Sequence, residues 1–153
     1  MKNNRLLTIF WVLIVGSSVG CAVTKANGMR DLQDAWSLMQ DEKVTESMEL
    51  AKKYLNSSDA EEIFLVGLLY SGKAGRSKAS VQAKKDAQCG IALLEKSANL
   101  GHINAASTLE GIFRFDTGVN MKDVARANCW AGVVEKDDQP KACAREKDLS
   151  ACK

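Results

Sequence analysis

Apolar residues recur at spacings of three and four along most of the chain, the signature of helices that bury one face. Leu32, Ala35, Trp36 and Met39 form one such stripe; Val44, Met48, Ala51 and Leu55 form the next, after a polar break at "MQDEK", 39–43. The cluster "NSSD" at 56–59 predicts a turn and helix cap, and Phe64, Leu65, Leu68 and Leu69 then resume the pattern over 60–70. "SGKAGRSKAS" at 71–80 reads as a loop containing glycine and lysine. Ile91, Leu94 and Ala98 mark another helix, with Gly101 where a C-terminal cap glycine is expected. Further helices are predicted over 104–115 and 123–136, with "DTGVNMK" as the loop between them. Pro140, the only proline, suits the first turn of a short C-terminal helix. No run of alternating β-branched residues competes, so the pattern predicts an all-α chain.

The first twenty residues break this pattern. Lys2 and Arg5 precede an apolar run over 6–15 that only Thr8 interrupts, and small residues dominate 16–20. This is the layout of an export signal. The run falls short of the ~20 apolar residues that cross a bilayer as a helix. The stretch ends in "SVGC", which resembles the lipobox of bacterial lipoproteins through Val19, Gly20 and Cys21; Ser18 stands where an aliphatic residue is usual. The resemblance implies cleavage after Gly20 and acylation of Cys21, and Ala22 in place of Asp implies the outer membrane. Acyl chains worth ~0.8 kcal/mol per buried methylene would hold such a protein firmly. Ordinary cleavage near the same point would give a free periplasmic protein instead. "AVTKANGM" then forms a polar tether, so the domain is expected over 31–153, after a lipidated N-terminus and tether at 21–30.

Lys2 and Arg5 are the only charges in the signal, so a chain with 21 basic and 19 acidic residues becomes balanced once the signal is removed. Balance argues against a nucleic-acid binder, which gathers excess Lys and Arg on one face. The remaining length suffices for one domain with a core. Export also changes the meaning of the five cysteines. An oxidising compartment favours disulfides, and setting Cys21 aside leaves Cys89, Cys129, Cys143 and Cys152, an even number. The chain has no C-x-x-C pair and a single histidine, His102, which predicts no metal site and no cofactor.

Two segments repeat at a period of about 38 residues. "GLLYSGKAG" leads to "DAQCGIALLEKSANLGH", and "EGIFRFDTGV" leads to "DVARANCWAGVVEK". Gly67, Tyr70, Gly75, Asp86, Lys96, Ala98 and Gly101 in the first copy resemble the Sel1-like repeat, a relative of the tetratricopeptide repeat. Ala105, Leu109, Gly118, Val119, Asp123, Ala127 and Trp130 do so in the second, with Phe113 in place of Tyr. Glu110 departs from the pattern where its first glycine belongs, and the first copy carries an insertion. The copies span 62–101 and 105–138, residues 31–59 fit a decayed preceding copy, and 140–153 forms a capping helix. The resemblance implies a short α-solenoid of antiparallel helix pairs whose first helices line a concave face. Small residues such as Gly67 and Ala105 would let helices approach, while Tyr70, Phe113 and Trp130 fill the wedges. Asp86 and Asp123 would each cap a second helix, a contribution of ~1 kcal/mol. Second helices stack in such solenoids, so the resemblance implies Cys89–Cys129 and Cys143–Cys152 bridges, with Cys129 to a C-terminal cysteine as the alternative. Nine residues of unbroken helix would hold Cys143 and Cys152 ~13–14 Å apart, so that pair requires a turn between them.

No catalytic constellation stands out. Glu61 and Glu62 point about 100° apart on a helix and read as first-turn charges. His102 falls at a repeat junction, and Trp36 and Trp130 fall in apolar stripes that predict core packing. "SACK" at 150–153 has the S-x-x-K spacing of penicillin-binding enzymes, but it sits at a chain end without the companion motifs. The resemblance implies a non-enzymatic module that binds a protein partner. Small Sel1-like lipoproteins include immunity proteins that block an envelope-acting toxin, such as a phospholipase or wall hydrolase; the alternative is an envelope adaptor or scaffold. Glu61, Ser71, Thr108 and Arg114, polar residues of the first helices, are the candidate partner contacts.

Overall fold

The computed structural model describes residues 25–77, 80–115, 121–136, 140–145 and 149–152. The expected signal at 1–20 and the lipidation site Cys21 lie outside the described residues. Among those described, regular structure is entirely helical. Helix α1 covers 25–40. It is followed by α2 (Val44–Lys52), α3 (Ala60–Arg76), α4 (Val81–Asn99), α5 (Ile103–Arg114) and α6 (Val124–Lys136), then by 3-10 turns at Pro140–Ala142 and Leu149–Cys152.

The first helix therefore begins inside the expected tether. Gly28 is buried, and Lys25 reaches Asp59 at 2.8 Å. Leu32, Ala35 and Met39 are the buried stripe of α1, whereas Trp36 is 40% exposed, a correction to its expected core role. It lies one position off a stripe that this end helix buries on one side only. The chain reverses at 41–43, where Glu42 takes a left-handed φ of 63°, unusual for a residue with a Cβ. Ser47 Oγ donates to Ala35 O at 2.7 Å, and Tyr54 OH donates to Asp31 Oδ2 at 2.9 Å. These pairings make α1 and α2 antiparallel.

Asp59 caps α3 by accepting the N–H groups of Glu61 and Glu62. Helix α3 runs on through Arg76, six residues past the expected end at 70, so most of the expected loop is helix. Helix α4 starts at Val81, capped by Ser80, whose side chain accepts from Ala83 N. Asp86 is therefore not a cap: it lies mid-helix, 1% exposed, paired with Lys73 at 2.9 Å. Ser97 Oγ donates to Ala60 O at 2.6 Å, and Gly67 meets Gly90 where the helices are closest. A Cβ on Gly90 would lie 3.0 Å from Gly67 O and collide with Ser71 Oγ. Contacts of 60 with 97, 67 with 90 and 73 with 86 make α3 and α4 an antiparallel pair.

Gly101, at φ 92°, turns the chain from α4 into α5 as expected. Asp123 does cap its helix, since its Oδ1 accepts Arg126 N at 3.0 Å. Phe113 and Trp130, 1% and 0% exposed, are buried between α5 and α6. Helix α4 is central: it gives Cys89 and Leu93 to a core shared with α1, α2 and α3, and Ile91, Leu94 and Ala98 to a core shared with α5 and α6.

The C-terminal segment corrects two expectations. In place of a capping helix over 140–153, two short 3-10 turns run back across α4. Cys89 bonds Cys152 and Cys129 bonds Cys143, with Cα separations of 5.0 and 5.6 Å. The Cys89–Cys129 and Cys143–Cys152 pairing is overturned, and the alternative of Cys129 with a C-terminal cysteine is realised. The cause is the path of the tail. Cys89 belongs to the first core and Cys129 packs on the second, while Cys143 and Cys152 are drawn to the two different cores.

Candidate functional site

Where α3, α4 and α5 converge, small side chains leave a cavity of about 130 Å³. Helix α3 contributes Ser71, Ala74 and Gly75; α4 contributes Ala87 and Ile91; Ile112 of α5 and Met121 complete the lining. The walls are apolar except for Ser71, whose buried Oγ has no hydrogen-bond partner. The space is well below the ~300 Å³ at which pockets for drug-sized ligands begin, and near the ~150 Å³ that accepts a benzene ring. It fits one apolar side chain; the Ser71 hydroxyl is turned toward Gly90 of α4.

Of the four candidate contacts, Ser71 lines this cavity. Thr108 precedes Ile112 by one turn on the same face of α5, and its Oγ1 donates to Asn104 O at 2.8 Å. Arg114 is engaged elsewhere, bound to Glu110 at 2.9 Å and to Asn128 Oδ1 at 3.4 Å. Glu61 is exposed at the opposite end of α3. Ser71 alone of the four thus lines the cavity, while Thr108 sits one turn from its lining residue Ile112 and Glu61 lies at the far end of α3.

Sequence reasoning missed a buried ion pair. Glu95, 0% exposed, bonds Arg126 at 2.5 Å and accepts the backbone N–H of Arg145 at 3.0 Å. The Arg126 guanidinium also lies 3.9 Å above the Phe113 ring. This cluster ties α4, α5, α6 and the tail together. A signal was available, because Glu95 directly follows the buried run Ile91 to Leu94. Of the two adjacent acids, Glu62 is buried and accepts from Ser57 Oγ at 2.6 Å, rather than being a solvated first-turn charge.

His102 stacks on Phe64 with ring centroids 4.4 Å apart, and its buried Nδ1 has no partner. Tyr70, buried and donating to Cys152 O at 3.2 Å, has its pKa raised by burial. The hydrogen bond from Lys25 holds the Asp59 carboxyl below its usual range, helped by the backbone N–H groups of Glu62 and Glu61 and opposed by burial. Among the described residues, no group of three or more His, Cys, Asp or Glu side chains could hold a metal ion, and no helix is long and apolar enough to cross a membrane.

Comparison with protein-family models, with curated proteins and with solved structures returns no match.

Proposed function

We propose that this protein is a lipid-anchored envelope module of Sel1-like helix pairs. In this reading it binds a protein partner and serves as an immunity protein against an envelope-acting toxin. The observation that supports the reading is an all-helical fold whose consecutive helices pack in chain order, α3 on α4, α4 on α5 and α5 on α6, with a tail bonded back to α4 and α6 by two disulfides. Such an assembly is a stiff scaffold, suited to presenting a surface. The "SVGC" stretch supports anchoring at Cys21, which would hold the inhibitor where a phospholipase or wall hydrolase must work. Inhibition would be steric, by occupying the toxin's active-site cleft.

The test is genetic and biochemical. Deleting the gene should make cells sensitive to a toxin of their own secretion system, and pull-down of the mature protein from envelope extract should recover that toxin. An unchanged deletion phenotype in a strain stripped of its secreted toxins would refute the immunity role and favour the scaffold alternative. Cys21→Ser should release the protein from membranes or block its processing; unchanged fractionation and mass would refute the anchor.

A further inference from the structure

The cavity between α3, α4 and α5 has a one-sided electrostatic rim. Lys84 lies one turn before the lining residue Ala87 on the same face of α4, Arg76 follows the lining Gly75, and Lys122 follows the lining Met121. All three cations are exposed, and among the described residues none forms an ion pair. The acids at this end are already engaged: Asp86 with Lys73 at 2.9 Å, Glu110 with Arg114 at 2.9 Å, and Asp123 with Arg145 at 3.5 Å.

Helix glycines add a second, independent observation. Gly67 and Gly90 are explained by the close approach of α3 to α4, but a Cβ on Gly72, Gly75 or Gly111 would meet nothing within 4 Å. Each such glycine costs a helix ~1 kcal/mol relative to Ala with no return among the described residues. The return is available if another backbone approaches α3 and α5 from outside.

From the cavity, its cationic rim and these glycines, we infer that this end of the molecule docks an acidic segment of a partner protein, inserting one apolar side chain between α3, α4 and α5. Arg76, Lys84 and Lys122 receive the flanking carboxylates. A lipid tail is much longer than a space of about 130 Å³ admits, and open glycines serve a polypeptide backbone better than an acyl chain. The inference rests on the protein-binding reading above and adds the surface and the chemistry of what it takes.

Site-specific photocrosslinking of the full chain, in the cells that make it, tests this. p-Benzoylphenylalanine is introduced in place of Gln88, exposed on α4 one turn after Lys84 and one turn before the lining residue Ile91, and at the exposed positions Gln33 and Lys141 as controls. The expected result is an adduct from position 88 whose crosslinked partner peptide has an apolar residue flanked by Asp or Glu. Combining Lys84→Glu with Lys122→Glu should lower its yield about tenfold while the melting temperature is preserved. A lipid adduct, a partner peptide without acids, or a yield indifferent to charge reversal overturns the proposal. Protein adducts from position 33 or 141 but not 88 also overturn it, leaving the protein-binding reading intact. Absence of protein adducts from every position overturns both.

Discussion

Glu95 has exchanged water for Arg126, the Arg145 backbone N–H and a place where four segments meet. Removing one member of such a pair leaves the other charge buried and uncompensated, which costs ~3–5 kcal/mol. Glu95→Gln should lower unfolding free energy by about that amount in urea titration, and Glu95→Leu combined with Arg126→Met should recover much of the loss. Equal stability of Glu95→Gln and the parent chain would contradict the burial described. Asp59 makes a different, pH-dependent contribution. Its folded carboxyl titrates below the ordinary range because Lys25 donates to it. Folding thus favours the ionised form: the contribution is fully present above the ordinary Asp value and is lost as pH falls through the depressed one. The stability difference between the parent chain and Asp59→Asn should therefore shrink as pH drops from neutral through the carboxylate range, read from urea midpoints. A difference constant with pH would exclude the Lys25 linkage. The cap at Asp59 is legible from local pattern but its bond to Lys25 is not, and the apolar run before Glu95 hints at burial without revealing Arg126 and Arg145 as its partners.

At the scale of elements, the glycines divide by what surrounds them. Gly90 faces Gly67 O at 3.0 Å, a backbone atom that cannot swing aside, so Gly90→Ala forces α3 and α4 apart. Overpacking of this kind costs ~1–3 kcal/mol. Gly72 and Gly111 face open space within helices, so Gly72→Ala and Gly111→Ala should each stabilise by ~0.4–1 kcal/mol. Thermal melts of the three variants check the opposite signs; a stabilising Gly90→Ala would mean that the two helices are not in contact there. The same division explains what could be read from sequence at this scale. Helices α2, α5 and α6 match their apolar stripes, and Gly101 ends α4 as its position predicts, because these signals are local. The extent of α3 is not legible because Gly72 and Gly75 look like loop residues, whereas the helix continues through them to Arg76. The start of α4 is not legible because Ser80 supplies the cap expected of Asp86, freeing Asp86 to pair with Lys73. The cavity depends on which small residues of three helices face one another, and no single stretch encodes that.

For the whole molecule, the tail decides how the two cores are held together. Its turns pass over α4, and its cysteines reach back 63 positions to Cys89 and 14 positions to Cys129. The all-α class was legible from periodicity, but the pairing was not: four cysteines fix only that two bridges can form, and choosing among them needs the path of 140–152. Loop-closure entropy predicts that the Cys89–Cys152 bridge stabilises by ~4 kcal/mol and the Cys129–Cys143 bridge by ~3 kcal/mol. Joint replacement by Cys89→Ser and Cys152→Ser should therefore cost more than Cys129→Ser with Cys143→Ser in urea unfolding. It should also release the tail that packs on Tyr70, and with less burial the raised Tyr70 pKa should move back toward its ordinary value in an ultraviolet phenolate titration. Protease digestion without reductant, followed by mass mapping, should yield peptides joining Cys89 to Cys152 and Cys129 to Cys143. A peptide joining Cys89 to Cys129 would mean that the tail does not cross α4, and with it would fall the clamp between the two cores.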